Sequence, residues 1–121
     1  MAFMIDNKGF IVNNACYILT GDSLVYLSSV LNSKIIKWYS YLTNMNKTGV
    51  GDMQIGAQNL NIFPIPIINE YEQIQFQNIV NKIVIAKENR LSTADFEAEI
   101  EMMVYKMYNL TQDEIDFIEL Q

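Results

Sequence analysis

Hydrophobic and polar positions change their period near residue 20, which divides the first part of the chain into two predicted elements. From Phe10 to Leu19 most residues are β-branched, aromatic or otherwise apolar, a pattern typical of short strands with a break at Asn13 and Asn14. Beyond Asp22 the apolar residues recur at steps of three and four, which predicts a helix over 22–43. Asp22 is its predicted N-cap, because a carboxylate there accepts from free N–H groups of the first turn.

The two faces of this predicted helix follow from its period. The predicted inner stripe contains Leu24, Leu27, Leu31, Ile35, Trp38 and Leu42. The predicted outer face contains Ser28, Ser29, Asn32, Ser33, Lys37 and Ser40. Trp38 is therefore interpreted as a core residue rather than as a base-stacking one. Tyr39 and Tyr41 fall off the stripe and can touch a sugar-phosphate backbone or a partner surface.

A polar connection containing three glycines follows, from Thr43 to Asn61. Connections of this length inside a compact domain are usually functional or disordered. From Leu60 to Ile68, two alternating prolines fix φ and favour extended backbone before them, which predicts an edge strand at most, acting as a rigid strap. The residues predicted to pack from this strap are Phe63, Ile65 and Ile67.

The second half of the chain has the period of helices. Three helices are predicted, over about 70–90, 93–108 and 112–119. Asn69 followed by Glu72, and Thr111 followed by Glu114, have the spacing of capping boxes, in which two side chains satisfy the first free N–H groups of a helix.

These elements together predict an α+β fold. We expect a small antiparallel sheet built from segments near 3–19 and 60–68, packed by the helix over 22–43 and followed by a C-terminal helical unit. The 121 residues, half of them apolar, suffice for one compact domain. Within it we expect two parts, 1–68 and 69–121.

Charge is unevenly distributed along the chain, whose net charge is −6. Residues 1–66 hold four lysines against three aspartates, a balance of +1, whereas residues 67–121 hold four basic residues against eleven acids, a balance of −7. Because basic side chains supply most of the affinity for phosphates, the front half is the part suited to nucleic acid.

Several classes of protein lack support in the sequence. The chain has no long uncharged apolar run and no secretion signal, so we expect a cytoplasmic protein without a membrane partner. Cys16 stands alone in a chain without histidine and is interpreted as a buried small hydrophobe. The acids from Asp95 to Glu101 are interpreted as solvated surface carboxylates. Catalysis therefore has no support, and we predict no metal or cofactor in this chain.

Three pieces of the sequence, in their order and spacing, resemble the TaqI-like C-terminal specificity domain of bacterial and archaeal restriction-modification enzymes. They are Asn14-Ala-Cys-Tyr-Ile-Leu-Thr-Gly21, Leu27-Ser-Ser-Val-Leu-Asn-Ser-Lys34 and Phe63-Pro-Ile-Pro66. The stretch from Glu99 to Ile115 is similar to the helical tail of adenine-specific DNA methyltransferases and fused restriction-methylation enzymes. The segment around the prolines also resembles type I specificity subunits.

The resemblance implies the C-terminal part of a DNA target-recognition region that is not catalytic by itself. Its partners would be double-stranded DNA and either the catalytic domain of the same chain or a partner subunit. Catalytic motifs and S-adenosylmethionine would belong to the upstream part of a parent type II restriction enzyme or DNA methyltransferase.

Residue types then suggest which side chains meet DNA. The predicted DNA-binding residues are Lys34, Lys37, Tyr41, Lys47, Gln54, Gln58 and Asn59. We expect Lys37 and Lys47 to contact phosphates, with the amides of the polar connection nearest the bases. The alternative is a protein-interaction module, in which the acidic helices dock on another subunit and touch no DNA. The resemblance favours the first interpretation, and the acidic composition favours the second.

Overall fold

The computed structural model describes residues 4–5, 23–42 and 63–121, and five α-helices account for most of them. In chain order they are α1 (Leu24–Leu31), α2 (Lys34–Leu42), α3 (Glu70–Glu88), α4 (Ala94–Met107) and α5 (Gln112–Glu119). No helix in these ranges is long and apolar enough to cross a membrane.

The predicted α+β fold is wrong, because the described part of the chain is all-helical and contains no strand and no sheet. The extended segment 63–69 was expected to join an antiparallel sheet. Instead it crosses the helices alone: its two prolines have no N–H to donate to a ladder, and the carbonyls of Pro64 and Pro66 accept from tyrosine side chains. The segment 10–19, predicted to form strands, lies outside the described residues.

The single helix predicted over 22–43 is also wrong, because the chain breaks at Asn32 and Ser33 and forms the hairpin of α1 and α2. The hydroxyl of Ser33 donates to the carbonyl of Val30, so the side chain competes for the backbone group that would continue the helix. Ser23 stands at the N-cap of α1 without a side-chain capping bond. The predicted cap, Asp22, lies outside the described residues.

The break also changes which side chains of the hairpin are buried. Tyr26, Val30 and Ile36 enter the core, whereas Leu42, predicted to be inside, is exposed. Three serines predicted to face outward are buried: Ser29, Ser33 and Ser40. Each donates its hydroxyl to a carbonyl three or four residues earlier, so that it can leave water without losing a hydrogen bond.

The three C-terminal helices match their predicted positions, and both capping boxes are confirmed. The Asn69 side chain accepts from the Glu72 N–H at 2.8 Å, and the Glu72 carboxylate accepts from the Asn69 N–H at 3.2 Å. Thr111 and Glu114 form the same reciprocal pair, at 3.3 and 2.8 Å. α3 and α5 therefore begin where their own neighbouring residues dictate.

One hydrophobic core joins the hairpin to the C-terminal helices. α1 packs on α3 and α4, and α2 packs on α5. The largest fully buried side chains include Tyr105 of α4 and Phe76 of α3, and the ring of Tyr26 meets Phe76 edge-on at 5.1 Å between centroids. The hairpin thus lies on a platform that the C-terminal helices build.

Candidate functional site

The outward face of α2 collects the three described members of the predicted DNA-binding set. Lys34, Lys37 and Tyr41 are spaced i, i+3 and i+7, so they share one side of the helix, and all three are exposed. The buried Ile36 and Ser40 lie on the other side. Residues 23–42 contain two lysines and no acid, which makes this face cationic in an otherwise acidic chain.

Lys34 is tied to the C-terminal helices rather than held out to solvent alone. Its ammonium group lies 2.7 Å from Glu119 Oε2, at the end of α5. This hydrogen bond raises the pKa of Lys34 and lowers the pKa of Glu119, because each charge favours the other. Since Glu119 already compensates its charge, Lys34 has less to offer a phosphate than Lys37 does.

Glu101 of α4 holds the first turn of α2 from a distant part of the sequence. Both of its carboxylate oxygens lie 3.2 Å from the backbone nitrogen of Lys34, which donates its N–H to them. Burial raises the pKa of Glu101, although the hydrogen bond from Lys34 acts in the opposite direction. The carboxylate serves as an N-cap supplied by another helix, where it also meets the positive end of the helix dipole.

Tyr105 completes this contact between α2, α4 and α5. Its ring is fully buried, and its hydroxyl donates to Glu119 Oε1 at 2.7 Å. Burial, with the hydrogen bond to Glu119, raises the pKa of Tyr105, so the phenol stays protonated and keeps donating. The carboxylate of Glu119 is therefore fixed between Tyr105 and Lys34.

Two tyrosines fasten the proline segment to the helices. The Tyr26 hydroxyl donates to the carbonyl of Pro66 and the Tyr108 hydroxyl to that of Pro64, each at 2.7 Å. Burial raises the pKa of both phenols to about 12, which keeps them protonated as donors. Phe63 is buried as predicted, but Ile67 is 96% exposed and the prediction that it packs is wrong.

The two described flanks of the polar connection meet. Tyr39, one turn before the end of α2, packs edge-on against Phe63 at 6.0 Å between ring centroids. Trp38 is half-buried against the core, and its ring meets Phe117 edge-on at 6.3 Å.

Of the predicted DNA-binding residues, Lys47, Gln54, Gln58 and Asn59 lie outside the described residues, so their roles stay predictions.

A groove of about 640 Å³ lies between α3 and α4. Phe76, Ile79 and Met103 line it together with isolated charges such as Lys82 and Glu99. Within the ranges that the structure describes, no three side chains of the types that ligate metals come together. Nothing in this groove pairs a nucleophile with a base.

Sequence reasoning missed the contacts that hold α2 in place. Tyr105 and Tyr108 donate hydrogen bonds to Glu119 and to the carbonyl of Pro64, and no local pattern in the sequence indicates either partner. Glu101 was interpreted as a solvated carboxylate, yet it is half-buried at the start of α2. Its partner lies 67 residues away, so no local pattern could have shown the pair.

Comparison with known families matches residues 1–65 to the TaqI-like C-terminal specificity domain. The match covers more than half of the chain and includes α1, α2 and the beginning of the proline segment. It confirms the resemblance to this family, whereas the similarity of Glu99 to Ile115 to the tail of adenine-specific DNA methyltransferases lies outside the match and stays a prediction. No solved structure matches the chain.

Proposed function

Because the chain belongs to the family of TaqI-like C-terminal specificity domains, we propose that it binds duplex DNA as the C-terminal part of a target-recognition region. The parent is a restriction-modification enzyme or an adenine-specific DNA methyltransferase. The outward face of α2 contacts phosphates, and the polar connection that follows it reaches the base edges. Specificity comes from the base contacts, and register and orientation come from the phosphate contacts.

The observation that carries this proposal is the position of Lys37. It is exposed beside Tyr41 on a helix face that lies within the family match, in a stretch without acids. A side chain binds a phosphate well when it is an exposed cation whose charge is not already neutralised by acidic side chains of the same protein. Of the eleven acids that lie after residue 67, Glu101 and Glu119 contact the first turn of α2 at Lys34, one turn before Lys37.

The C-terminal helices support recognition by holding α2 rather than by touching DNA. Glu101 and Glu119 direct their carboxylates at the first turn of α2, where they fix its start and partly neutralise Lys34. We therefore assign the main phosphate contact on α2 to Lys37, with Lys34 as a positioning residue. Tyr41 lies one turn beyond Lys37 and contacts the sugar-phosphate backbone.

Catalysis belongs to the parent enzyme in this proposal. The sequence lacks the Asn/Asp-Pro-Pro-Tyr/Phe motif with which adenine methyltransferases hold the target base, and it contains no histidine. We expect S-adenosylmethionine to bind upstream in the parent, and the purified chain to transfer no methyl group and cut no DNA. Measurable methyl transfer by the purified chain would contradict this assignment.

The test uses fluorescence anisotropy to measure the affinity of the purified chain for a labelled duplex of mixed sequence. The salt concentration is varied from 50 to 200 mM. We expect weak binding that falls as salt rises, because each neutralised phosphate releases counterions. Lys37→Ala should weaken binding and lower the salt slope by about one. The matched control is Lys87→Ala, which removes an equal charge from the exposed end of α3.

Two outcomes would overturn the α2 assignment: no salt-dependent binding at all, or equal losses for Lys37→Ala and Lys87→Ala. In the parent enzyme, Lys47→Ala should weaken binding to every sequence alike. Gln54→Ala or Gln58→Ala should instead cost about 1–3 kcal/mol on the cognate site only. If none of these changes has an effect, the interaction-module interpretation takes the place of DNA binding.

A further inference from the structure

The ammonium group of Lys34 already binds an anion that belongs to the protein itself. Its Nζ lies 2.7 Å from Glu119 Oε2, and a charge-assisted hydrogen bond to a phosphate oxygen has about the same length. Both side chains reach solvent, since 54% of the Lys34 side chain and 39% of the Glu119 side chain are exposed. The ion pair therefore lies on the surface that a duplex approaching α2 would meet.

The carboxylate of Glu119 is held in place independently of Lys34. Its other oxygen, Oε1, accepts from the hydroxyl of the fully buried Tyr105 at 2.7 Å. An exposed ion pair is weak partly because two long side chains must be ordered to form it. In this pair one side chain is already ordered, so the entropy lost is mainly that of the lysine. Glu119 therefore stays at the start of α2 whether or not Lys34 contacts it.

The charges at the start of α2 offset one another. The outward face of the helix carries Lys34 and Lys37. Two carboxylates, those of Glu101 and Glu119, contact the first turn at Lys34. A phosphate that approached the ammonium group of Lys34 would have to displace Glu119 and would then lie beside its fixed negative charge. Like charges at such a distance repel, and this repulsion opposes the new contact.

We propose that Glu119 takes the place of a DNA phosphate on Lys34, so that α2 neutralises one phosphate of the duplex instead of two. This inference rests on the proposed binding of α2 to DNA. It adds a residue outside the family match that limits binding, because the match ends at residue 65. Phosphate contacts strengthen binding to every sequence, whereas base contacts act on the cognate site. By withholding Lys34, Glu119 leaves a larger share of the affinity to base contacts.

The first experiment compares Glu119→Gln with the wild type in the same anisotropy assay, on the duplex of mixed sequence. Glutamine keeps the length of the side chain and an oxygen that can accept from Tyr105, so the exposed position should tolerate it. We expect tighter binding at 50 mM salt and a salt slope steeper by about one. That slope corresponds to about a 3.5-fold greater loss of affinity between 50 and 200 mM salt.

The matched control is Glu99→Gln, which removes an equal charge from an exposed position of α4. It should leave the salt slope unchanged, because the slope counts phosphates that are contacted and not the net charge of the protein. Circular dichroism and urea denaturation of each variant verify that the helices are intact before affinities are compared.

The second experiment combines the substitutions in a double-mutant cycle. Lys34→Ala should leave the salt slope of the wild type unchanged, because Lys34 contacts no phosphate there. In the Glu119→Gln background the same substitution should lower the slope by about one. Lys37→Ala should lower the slope by about one in both backgrounds, since Lys37 binds its phosphate independently of Glu119.

Three results would overturn the inference while Lys37→Ala still weakens binding and the proposed function stands. The first is a Glu119→Gln variant that binds as the wild type does. The second is an equally steeper slope for Glu119→Gln and Glu99→Gln, which would show a general effect of charge. The third is an equal loss from Lys34→Ala in both backgrounds, which would show that Lys34 contacts a phosphate despite Glu119. Absence of salt-dependent binding in every variant would overturn the proposed function and this inference together.

Discussion

The free N–H groups at the first turns of the helices find hydrogen-bond acceptors in two different ways. α3 and α5 each begin with a capping box made by residues three positions apart. α2 begins with the carboxylate of Glu101, which comes from another helix. α3 and α5 therefore carry their own start signals, whereas α2 depends on a residue far along the chain.

This difference shows which half of the molecule supports the other. The C-terminal helices supply both carboxylates at the start of α2 and the buried ring of Tyr105 beneath them. The hairpin in return supplies Tyr26, whose hydroxyl holds the proline segment. A change in the acidic helices should thus alter the cationic face of α2 without touching it.

The strongest way to break this dependence is Tyr105→Ala. A fully buried aromatic ring and its hydrogen bond to Glu119 are lost together, so we expect the free energy of unfolding to fall by about 3–5 kcal/mol. Urea denaturation measures the loss. Tyr105→Phe keeps the ring and should cost only about 1 kcal/mol. Equal costs for the two variants would mean that the ring contributes nothing to the platform.

A smaller change separates the two ways of capping. Glu101→Ala and Thr111→Ala should each cost about 1 kcal/mol, because each removes one side-chain cap. Amide hydrogen exchange should locate the effects differently: Glu101→Ala accelerates exchange in the first turn of α2, and Thr111→Ala in the first turn of α5.

The control for this pair is Glu99→Ala, which removes an exposed carboxylate from α4. It should leave exchange in α2 unchanged. If Glu99→Ala and Glu101→Ala accelerate α2 alike, general loss of negative charge is responsible and the capping role of Glu101 is wrong.

The smallest expected effect is a pH dependence at Glu119. The pKa of Glu119 is lowered in the folded state, chiefly by the hydrogen bond from Lys34. Its contribution to the free energy of unfolding is therefore complete above the ordinary glutamate pKa of about 4.3. That contribution is lost as the pH falls through the lowered pKa. Because the pair is partly exposed, the contribution should stay below about 1 kcal/mol. Urea denaturation between pH 7 and pH 3 should show a smaller loss for Glu119→Gln than for the wild type.

Glu101 acts with the opposite sign, because its pKa is raised by burial. A carboxyl group that binds its proton more tightly when folded favours folding less as the pH rises through its folded pKa. Between pH 7 and pH 3, Glu101→Gln should therefore increase the loss of free energy of unfolding relative to the wild type, whereas Glu119→Gln should decrease it. The same direction of change in both variants would show that one of the two assignments is wrong.

The sequence was sufficient wherever a structural signal is local. Asn69 with Glu72 and Thr111 with Glu114 predict two helix starts correctly, because both partners of each capping box lie within one turn. Periodicity likewise placed Lys37 on the outer side of its helix and Tyr41 off the apolar stripe, and both side chains are exposed. Each of the three pieces that carry the family resemblance is also a continuous stretch of at most eight residues.

The predictions failed where distant residues decide the outcome. Asn32 and Ser33 fit the polar side of one continuous helix, so the pattern gave no sign of the break between α1 and α2. Burial of Ser29 and Ser40 depends on the platform beneath them and not on their neighbours. Prolines spaced for an edge strand were held instead by tyrosine hydroxyls 40 and 44 residues away.

The ion pair between Lys34 and Glu119 also bears on the order in which parts of the protein can fold during synthesis. The two residues are 85 positions apart, and Lys34 and Glu101 are 67 apart, so α2 is synthesised long before either of its anchors. Contacts of such separation form late in folding. A chain that stops before residue 101 lacks both carboxylates, so the first turn of α2 would lose the contacts that fix it in the folded protein.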